Sequence, residues 1–90
     1  MVFSSLRFSL AGPDITDERR AEMHTSMIEM CEYADKAGFG MVTVSEHHGT
    51  ETGWMPSPMI LAGMIAVRTE QLRISIGALL LPLHDPLRCA

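Results

Sequence analysis

The spacing of hydrophobic and polar positions changes along the chain, and the changes predict strands that alternate with helices. Leu6–Ala11 is a short apolar–polar run that ends at the turn signal Gly12-Pro13. Met41–Ser45 and Arg73–Leu81 are apolar runs with β-branched residues, and Pro82 closes the second of them. Such runs, bounded by glycine or proline, are typical of strands. The pattern therefore predicts three strands in these segments.

Apolar residues at helical spacing separate the predicted strands. Thr16 is a suitable N-cap before two acidic residues, and Gly38 is a natural stop after the helix. Steps of three and four residues predict that its apolar face is formed by Met23, Met27, Met30, Ala34 and Ala37. A second helix begins at Ser57-Pro58, runs to about Thr69 and is apolar nearly all round. We therefore expect the second helix to be buried on more than one side.

The order of the elements narrows the fold to two α/β architectures. Strand, helix, strand, helix, strand and the start of a third helix at Asp85-Pro86 imply parallel strands with right-handed crossovers. An open doubly wound sheet that binds nucleotides would carry a glycine-rich turn after its first strand, and Ala11–Asp14 lacks it. We therefore predict a (β/α)8 TIM barrel, which needs roughly 200 residues or more. Residues 1–90 would be its N-terminal portion, about the first three strand–helix units, cut at the start of the third helix.

Composition and charge exclude several classes of protein. A hydrophobic content of 47% argues against disorder, and no apolar run approaches the roughly 18 residues of a membrane span. The first eleven residues lack the apolar core of a secretory signal, and the net charge of −4 disfavours nucleic-acid binding. Cys31 and Cys89 are too few for a disulfide framework, so we expect reduced thiols, with a single bridge as the alternative. These features predict a cytoplasmic protein without nucleic-acid or membrane partners.

Strand parity predicts which side chains face the barrel interior. Alternate residues of a strand point to opposite sides, so the bulky set that includes Phe8, Val42 and Ile74 would meet the helices. The small or polar set would face the interior; it comprises Ser9, Ala11, Thr43, Ser45, His47, Ser75 and Gly77. An interior of this kind has room for a planar cofactor, although small side chains also suit a tapered barrel core.

The chemistry-bearing residues Glu46-His47-His48 come directly after the second predicted strand, where barrels carry their active sites. Adjacent side chains on an extended strand diverge, so the two histidines do not suit one metal ion, and we assign no metal ligands. Histidine does suit proton transfer. His47 is therefore the candidate catalytic residue, with Glu46 or a backbone group orienting its ring. A solvated strand end and a metal-dependent TIM-barrel hydrolase are the alternatives, and Trp54 either lines a substrate pocket or packs the loop.

Several short motifs share one order with a known family. They are Ala37-Gly38-Phe39, Glu46-His47-His48, Pro56-Ser57-Pro58, Arg68-Thr69, the run from Gly77 to Pro82, and Asp85-Pro86. From about Leu6 to Ala90 the chain resembles the N-terminal part of the bacterial luciferase-like flavin monooxygenases. The resemblance implies a TIM barrel that binds reduced FMN, or a deazaflavin coenzyme in related branches. It also implies oxidation of a small organic substrate, such as an aldehyde, an alkanesulfonate or an alcohol, with molecular oxygen.

The resemblance also implies roles for individual residues. His47 matches the active-site histidine beside the flavin ring. Gly77 and Ala78 match a bulge that carries a non-proline cis peptide and backs the flavin, and Ala11 is a further cofactor-binding candidate on the inward side. The family pattern implies a homodimer around the helix Pro58–Thr69 and a supply of reduced flavin, such as a flavin reductase. Because the flavin-phosphate site lies on later loops, we expect residues 1–90 alone to be inactive; a flavin-free interaction subunit is another alternative.

Overall fold

The computed structural model describes residues 2–90 and contains a parallel three-stranded sheet with two long helices packed on one face. The strands lie side by side in the order β1, β2, β3, and both neighbouring pairs are parallel. The elements in chain order are β1 (Ser5–Arg7), α1 (Asp17–Lys36), β2 (Met41–Val44), α2 (Pro58–Ala66), β3 (Arg73–Ile76), a 3-10 helix (Leu81–Leu83) and α3 (Pro86–Cys89). The predicted alternation of parallel strands and helices is confirmed.

The register of the sheet separates bulky from small side chains as strand parity predicts. Val42 pairs with Ile74, and Val42 and Val44 are almost completely buried beneath the helices. The neighbouring row is Arg7, Thr43 and Ser75 in register, and alternation turns these side chains to the opposite face. The apolar side of the sheet is therefore the helix side, and its other side carries hydroxyl groups and a cation.

The first and third strands are shorter than predicted. β1 ends at Arg7 instead of Ala11, and Leu10 has a positive φ of 52°, which interrupts the extended backbone. Ala11 lies beyond this break, so the alternation that assigned it to the inward side does not hold. β3 ends at Ile76 instead of Leu81, and the chain continues through a cis peptide bond between Gly77 and Ala78. This bond has the cis geometry that the resemblance implies.

Helix α1 has the predicted ends but a different buried face. Thr16 is the N-cap, its hydroxyl accepting from the Arg19 amide at 3.2 Å, and Gly38 follows the helix with a φ of 84°. Met30 and Ala37, which the pattern assigned to the core, are exposed. The buried residues of α1 are Met27, Ile28, Cys31 and Ala34. The helix is rotated because Ile28 and Cys31, rather than Met30, fit against the sheet.

The core lies between the two long helices and the sheet. Its buried members are Met27, Ile28 and Cys31 from α1, Val42 and Val44 from β2, Leu61 and Ile65 from α2, and Met55 and Leu72 from the connections. Cys31 and Cys89 are both free thiols, as expected, and burial raises the pKa of Cys31. Within residues 2–90 no helix is long and apolar enough to cross a membrane.

The second helix is not buried all round within this chain. It ends at Ala66, three residues before the predicted end at Thr69, and it turns Leu61 and Ile65 into the core. Its outer side is apolar and exposed, with Ile60 at 68% and Met64 at 46% of their full exposure. One face of α2 therefore packs on the sheet, and the opposite face is not covered by residues 2–90.

Asp35 joins the end of α1 to the turn that precedes β3. Its carboxylate accepts hydrogen bonds from the backbone N–H groups of Glu70, Gln71 and Leu72 at 2.7–2.9 Å. The bonds from Glu70 and Gln71 are the main reason that the pKa of the Asp35 carboxyl is lowered. The carboxylate thus sets where the chain turns into the third strand.

We expect Asp35→Asn to lower the free energy of unfolding at neutral pH, because a neutral amide oxygen accepts more weakly than a carboxylate. The folded-state pKa of Asp35 lies below its usual 3.8, so the difference from wild type should shrink as the pH falls below that value. Urea unfolding at several pH values measures it. Glu29→Gln, on the exposed side of the same helix, is the control, and equal effects of the two substitutions would contradict the assignment.

Candidate active site at the end of the second strand

The backbone leaves the regular strand pattern directly after Val44. Ser45 and Glu46 are consecutive yet both buried, at 7% and 3% exposure, so strand alternation no longer applies there. The Val44 carbonyl accepts from the Gly77 N–H at 2.8 Å, and the His47 N–H donates to the Met55 carbonyl at 2.8 Å. The second bond closes a loop from His47 to Met55. Parity therefore cannot be extended from Thr43 to His47, whose position depends on this loop.

The Glu46 carboxylate is the centre of a buried hydrogen-bond cluster. Its Oε1 accepts from His48 Nε2 at 2.8 Å and from His84 Nε2 at 2.6 Å, and its Oε2 accepts from the Leu80 N–H at 2.6 Å. The expectation that Glu46 orients the His47 ring is wrong, since its partners are other groups. His84, which no motif in the sequence marked, is one of these partners. The cluster ties the end of β2 to the segment after β3.

These contacts keep Glu46 ionised. Burial by itself raises the pKa of the carboxyl group, but the hydrogen bonds from His48, Leu80 and His84 outweigh it. The net effect lowers the pKa of Glu46 from 4.5 to about 2. A carboxylate held in this state accepts hydrogen bonds and does not donate a proton near neutral pH. Glu46 is therefore suited to fixing its neighbours and not to general acid catalysis.

The His47 ring is held by stacking. The imidazole lies parallel to the Trp54 indole, with centroids 3.5 Å apart and an angle of 9° between the planes. Two buried ring nitrogens, His47 Nδ1 and Trp54 Nε1, have no hydrogen-bond partner within residues 2–90. A buried polar atom without a partner is costly and often marks a place that a ligand satisfies. Neither Glu46 nor a backbone group orients this ring; Trp54 does.

An apolar cavity of about 470 Å³ opens where the loop meets both helices. It is lined by His47, Trp54 and other loop residues, by Arg20 and His24 of α1, and by Ile60, Leu61 and Met64 of α2. Its volume is in the range of small-molecule sites, which are mostly apolar with a few polar groups. Trp54 therefore has both roles that the sequence left open, lining a pocket and packing the loop. His24 also lines the cavity, although no motif in the sequence marked it.

The three cofactor-binding candidates do not line this cavity. Gly77 lies beside Thr43, so that a Cβ at position 77 would approach Thr43 Cγ2 to 3.3 Å. Ala78 follows the cis peptide bond on the same edge, and Ala11 is half-buried beyond the end of β1. Gly77 follows β3 beside the end of β2, where its N–H donates to the Val44 carbonyl. In the described part of the chain, no group of three or more His, Cys, Asp or Glu residues is placed to hold a metal ion.

Comparison with known proteins shows the family to which this chain belongs. The whole chain, residues 1–90, matches the family described as luciferase-like monooxygenase. The chain therefore belongs to the luciferase-like monooxygenase family, and its parallel strand–helix units are those of the family's TIM barrel. The resemblance deduced from the sequence motifs is confirmed.

Individual relatives fall in the same class. The oxygenase component of the flavin-dependent trigonelline monooxygenase from Acinetobacter baylyi is 27% identical over 88 residues, which are 94% of this chain and 24% of that protein. The 4-hydroxyprotoasukamycin monooxygenase from Streptomyces nodosus subsp. asukaensis is 33% identical over 63 residues, covering 70% of this chain and 17% of its own length. The chain thus spans about a quarter or less of these relatives.

A solved structure shares the fold. The oxygenating constituent of 3,6-diketocamphane monooxygenase from Pseudomonas putida, in complex with FMN, superposes with a TM-score of 0.79 at 22% identity. The match covers 99% of this chain and 24% of that one. The likeness supports the TIM-barrel architecture over the open doubly wound sheet that the element order alone left as an alternative.

We expect Glu46→Gln to destabilise the protein at neutral pH, because an amide offers N–H donors to histidines that also donate. The folded-state pKa of about 2 lies below the unfolded value of 4.5, so the contribution of Glu46 is complete above pH 4.5. This contribution is lost as the pH falls from 4.5 towards 2, so the free energies of unfolding of the wild type and of Glu46→Gln should become similar in that range. Denaturant unfolding as a function of pH measures the difference, with the exposed Glu22→Gln as control. A difference in stability between wild type and Glu46→Gln that does not change with pH would contradict the stabilising role of the Glu46 carboxylate.

Proposed function

We propose that this chain is part of a flavin-dependent monooxygenase that acts on a small organic substrate with reduced flavin and molecular oxygen. One observation carries the proposal: a histidine with an unpartnered buried nitrogen lies in the wall of an apolar cavity at the end of β2. Membership in the luciferase-like family supports this chemistry for the site. The free thiols of Cys31 and Cys89 support a cytoplasmic location.

Gly77-Ala78 is the segment that we expect to contact the cofactor. Gly77 has no side chain, and the neighbouring Ser75 and Thr43 side chains are small. We propose that the flavin ring lies against Gly77-Ala78, and that FMN is the flavin, with a deazaflavin coenzyme as the alternative. The relative solved in complex with FMN supports the choice. Reduced flavin would supply two electrons, so that one oxygen atom enters the substrate and the other leaves as water.

His47 has the properties of a proton-transfer group for such a reaction. The Trp54 indole fixes the plane of its ring, and Nδ1 is buried without a partner. An imidazole nitrogen held in this way can donate a hydrogen bond to an oxygen atom of the substrate, or accept a proton from it. Glu46 does not contact His47, and its proposed role is to hold the surrounding segments through His48 and His84.

The cofactor assignment is tested by adding flavin to the protein whose complete barrel includes this chain and recording the absorbance spectrum. A perturbed flavin spectrum with FMN supports the proposal, and binding of a deazaflavin only would select the alternative. Failure to bind either coenzyme would contradict the assignment and favour a flavin-free interaction subunit.

We expect His47→Ala in that complete protein to lower turnover by about 100-fold or more, because a positioned acid–base group contributes 10²–10⁴. Oxygen consumption with reduced flavin measures it. His48→Ala is the matched control and should lower turnover less, since the His48 ring contacts Glu46 and its side chain is 42% exposed. Unchanged turnover in His47→Ala, with flavin still bound, would contradict the role of His47.

We further propose that the protein forms a homodimer through the outer face of α2. Ile60, Met64 and Val67 are exposed at 68%, 46% and 81%, and they form an apolar surface with Gly63, which has open space in front of it. Exposed apolar patches of this kind mark sites of association. Two copies of an apolar helix face can pack on each other about a two-fold axis, the commonest symmetry of homo-oligomers, so we propose a second copy of the chain as the partner. Reduced flavin would come from a separate reductase, as the name "oxygenase component" of one relative suggests.

We expect the double substitution Ile60→Glu and Val67→Glu to convert a dimer into a monomer, because the charges would be desolvated in the interface. Sedimentation at micromolar concentration measures the change. Tyr33→Glu with Val2→Glu adds the same charge at exposed apolar residues away from α2 and should leave the dimer intact. A monomeric wild-type protein at that concentration would rule the proposed interface out.

A further inference from the structure

Arg20 connects helix α1 to the loop that follows β2. The Arg20 Nη1 donates to the Thr52 carbonyl at 3.2 Å and to the Gly53 carbonyl at 3.1 Å. Both bonds are partly buried and join residues more than thirty positions apart. Among the described residues Arg20 makes no ion pair, whereas its neighbour Arg19 pairs with Glu22 on the surface. The guanidinium of Arg20 is therefore used to hold loop backbone and not to balance a carboxylate.

The loop is shaped to receive this guanidinium. Gly53 has a φ of 64°, and a Cβ at this position would collide with the Arg20 guanidinium. The positive φ favours glycine at this position, and a side chain there would force the Arg20 guanidinium to move. The Thr50 hydroxyl and carbonyl accept from the N–H groups of Trp54 and Gly53, each at 3.3 Å, which completes the turn.

The Arg20 guanidinium binds the backbone directly before Trp54. Trp54 directly follows Gly53, the second residue that Arg20 holds, and it directly precedes Met55, whose carbonyl accepts from the His47 N–H. Trp54 is therefore anchored on both sides, by Arg20 and by the backbone of His47. The stacked indole is in turn what holds the His47 ring, because Nδ1 of that ring has no partner within residues 2–90.

We propose that Arg20 is a positioning residue that holds the Trp54 indole over the His47 imidazole. No sequence motif marks Arg20 as part of the site, because Arg20 lies in the first turns of α1, far along the chain from Glu46-His47-His48. The effect of Arg20 on turnover rests on the proposed function of His47, because even a slight displacement of a reacting group lowers the reaction rate. The geometry itself is independent of that function and is tested without flavin.

The test uses the protein whose complete barrel includes this chain, and it follows two spectroscopic signals of the stack. The difference between the near-ultraviolet circular dichroism of the wild type and that of Trp54→Phe isolates the contribution of this indole and reports on how firmly the ring is fixed. The ring current of the indole should also move the His47 ring protons upfield in the NMR spectrum, and His47→Gln identifies these signals.

We expect Arg20→Ala to abolish the near-ultraviolet band of Trp54 and to return the His47 ring protons to the position of unstacked histidine. The far-ultraviolet spectrum should keep its helical and strand signal. The matched control is Arg19→Ala, which removes an exposed arginine one position earlier and should leave both signals as in wild type. If Arg20→Ala does not fold, Arg20→Lys replaces it; its charge is retained, but its ammonium falls about one bond short, so both signals should weaken.

Two results would overturn the proposal. One is an unchanged Trp54 band and unchanged His47 shifts in the folded Arg20 variant. The other is an equal loss of both signals in Arg19→Ala, which would show a general loosening of α1. A loss confined to the Arg20 variant supports the positioning role, whether or not His47 later proves to take part in catalysis.

Discussion

The buried carboxylate of Glu46 is the constraint on which the end of the sheet depends. An ion taken out of water is tolerated only when its lone pairs are satisfied, and three groups satisfy them here: His48, His84 and the Leu80 N–H. Two of the three come from the segment after β3. The hydrogen bonds to this one carboxylate therefore hold the connections after β2 and β3 together. The loop that carries His47 begins at the residue after Glu46.

Helix α1 supports the two connections that flank α2 in a similar way. At its start, Arg20 donates to loop carbonyls, and near its end Asp35 accepts from three consecutive N–H groups. Each charged side chain forms hydrogen bonds with backbone groups that have no partner within a strand or a helix. Because α1 is twenty residues long and packed on the sheet through Met27 and Cys31, it forms a rigid scaffold for both loops.

Two sides of the chain present different groups. The loop side presents a histidine and a tryptophan to an apolar cavity, whereas the open side of the sheet carries Arg7 and the hydroxyl groups of Thr43 and Ser75. Members of the luciferase-like family are named as monooxygenases that differ widely in substrate. A barrel suits such variety because its loops can change while its strands keep their register.

Local interactions explain what the sequence by itself determined. The start of β2, the N-cap at Thr16, the stop at Gly38 and the proline start of α2 all depend on neighbouring residues. Family membership was also readable, because its motifs keep their order. The sequence did not reveal three features: the partners of Glu46, the stacking of Trp54 on His47 and the rotation of α1. These depend on residues that are distant in sequence and meet only when the helices pack on the sheet, so burial and hydrogen-bond satisfaction in the folded chain decide them.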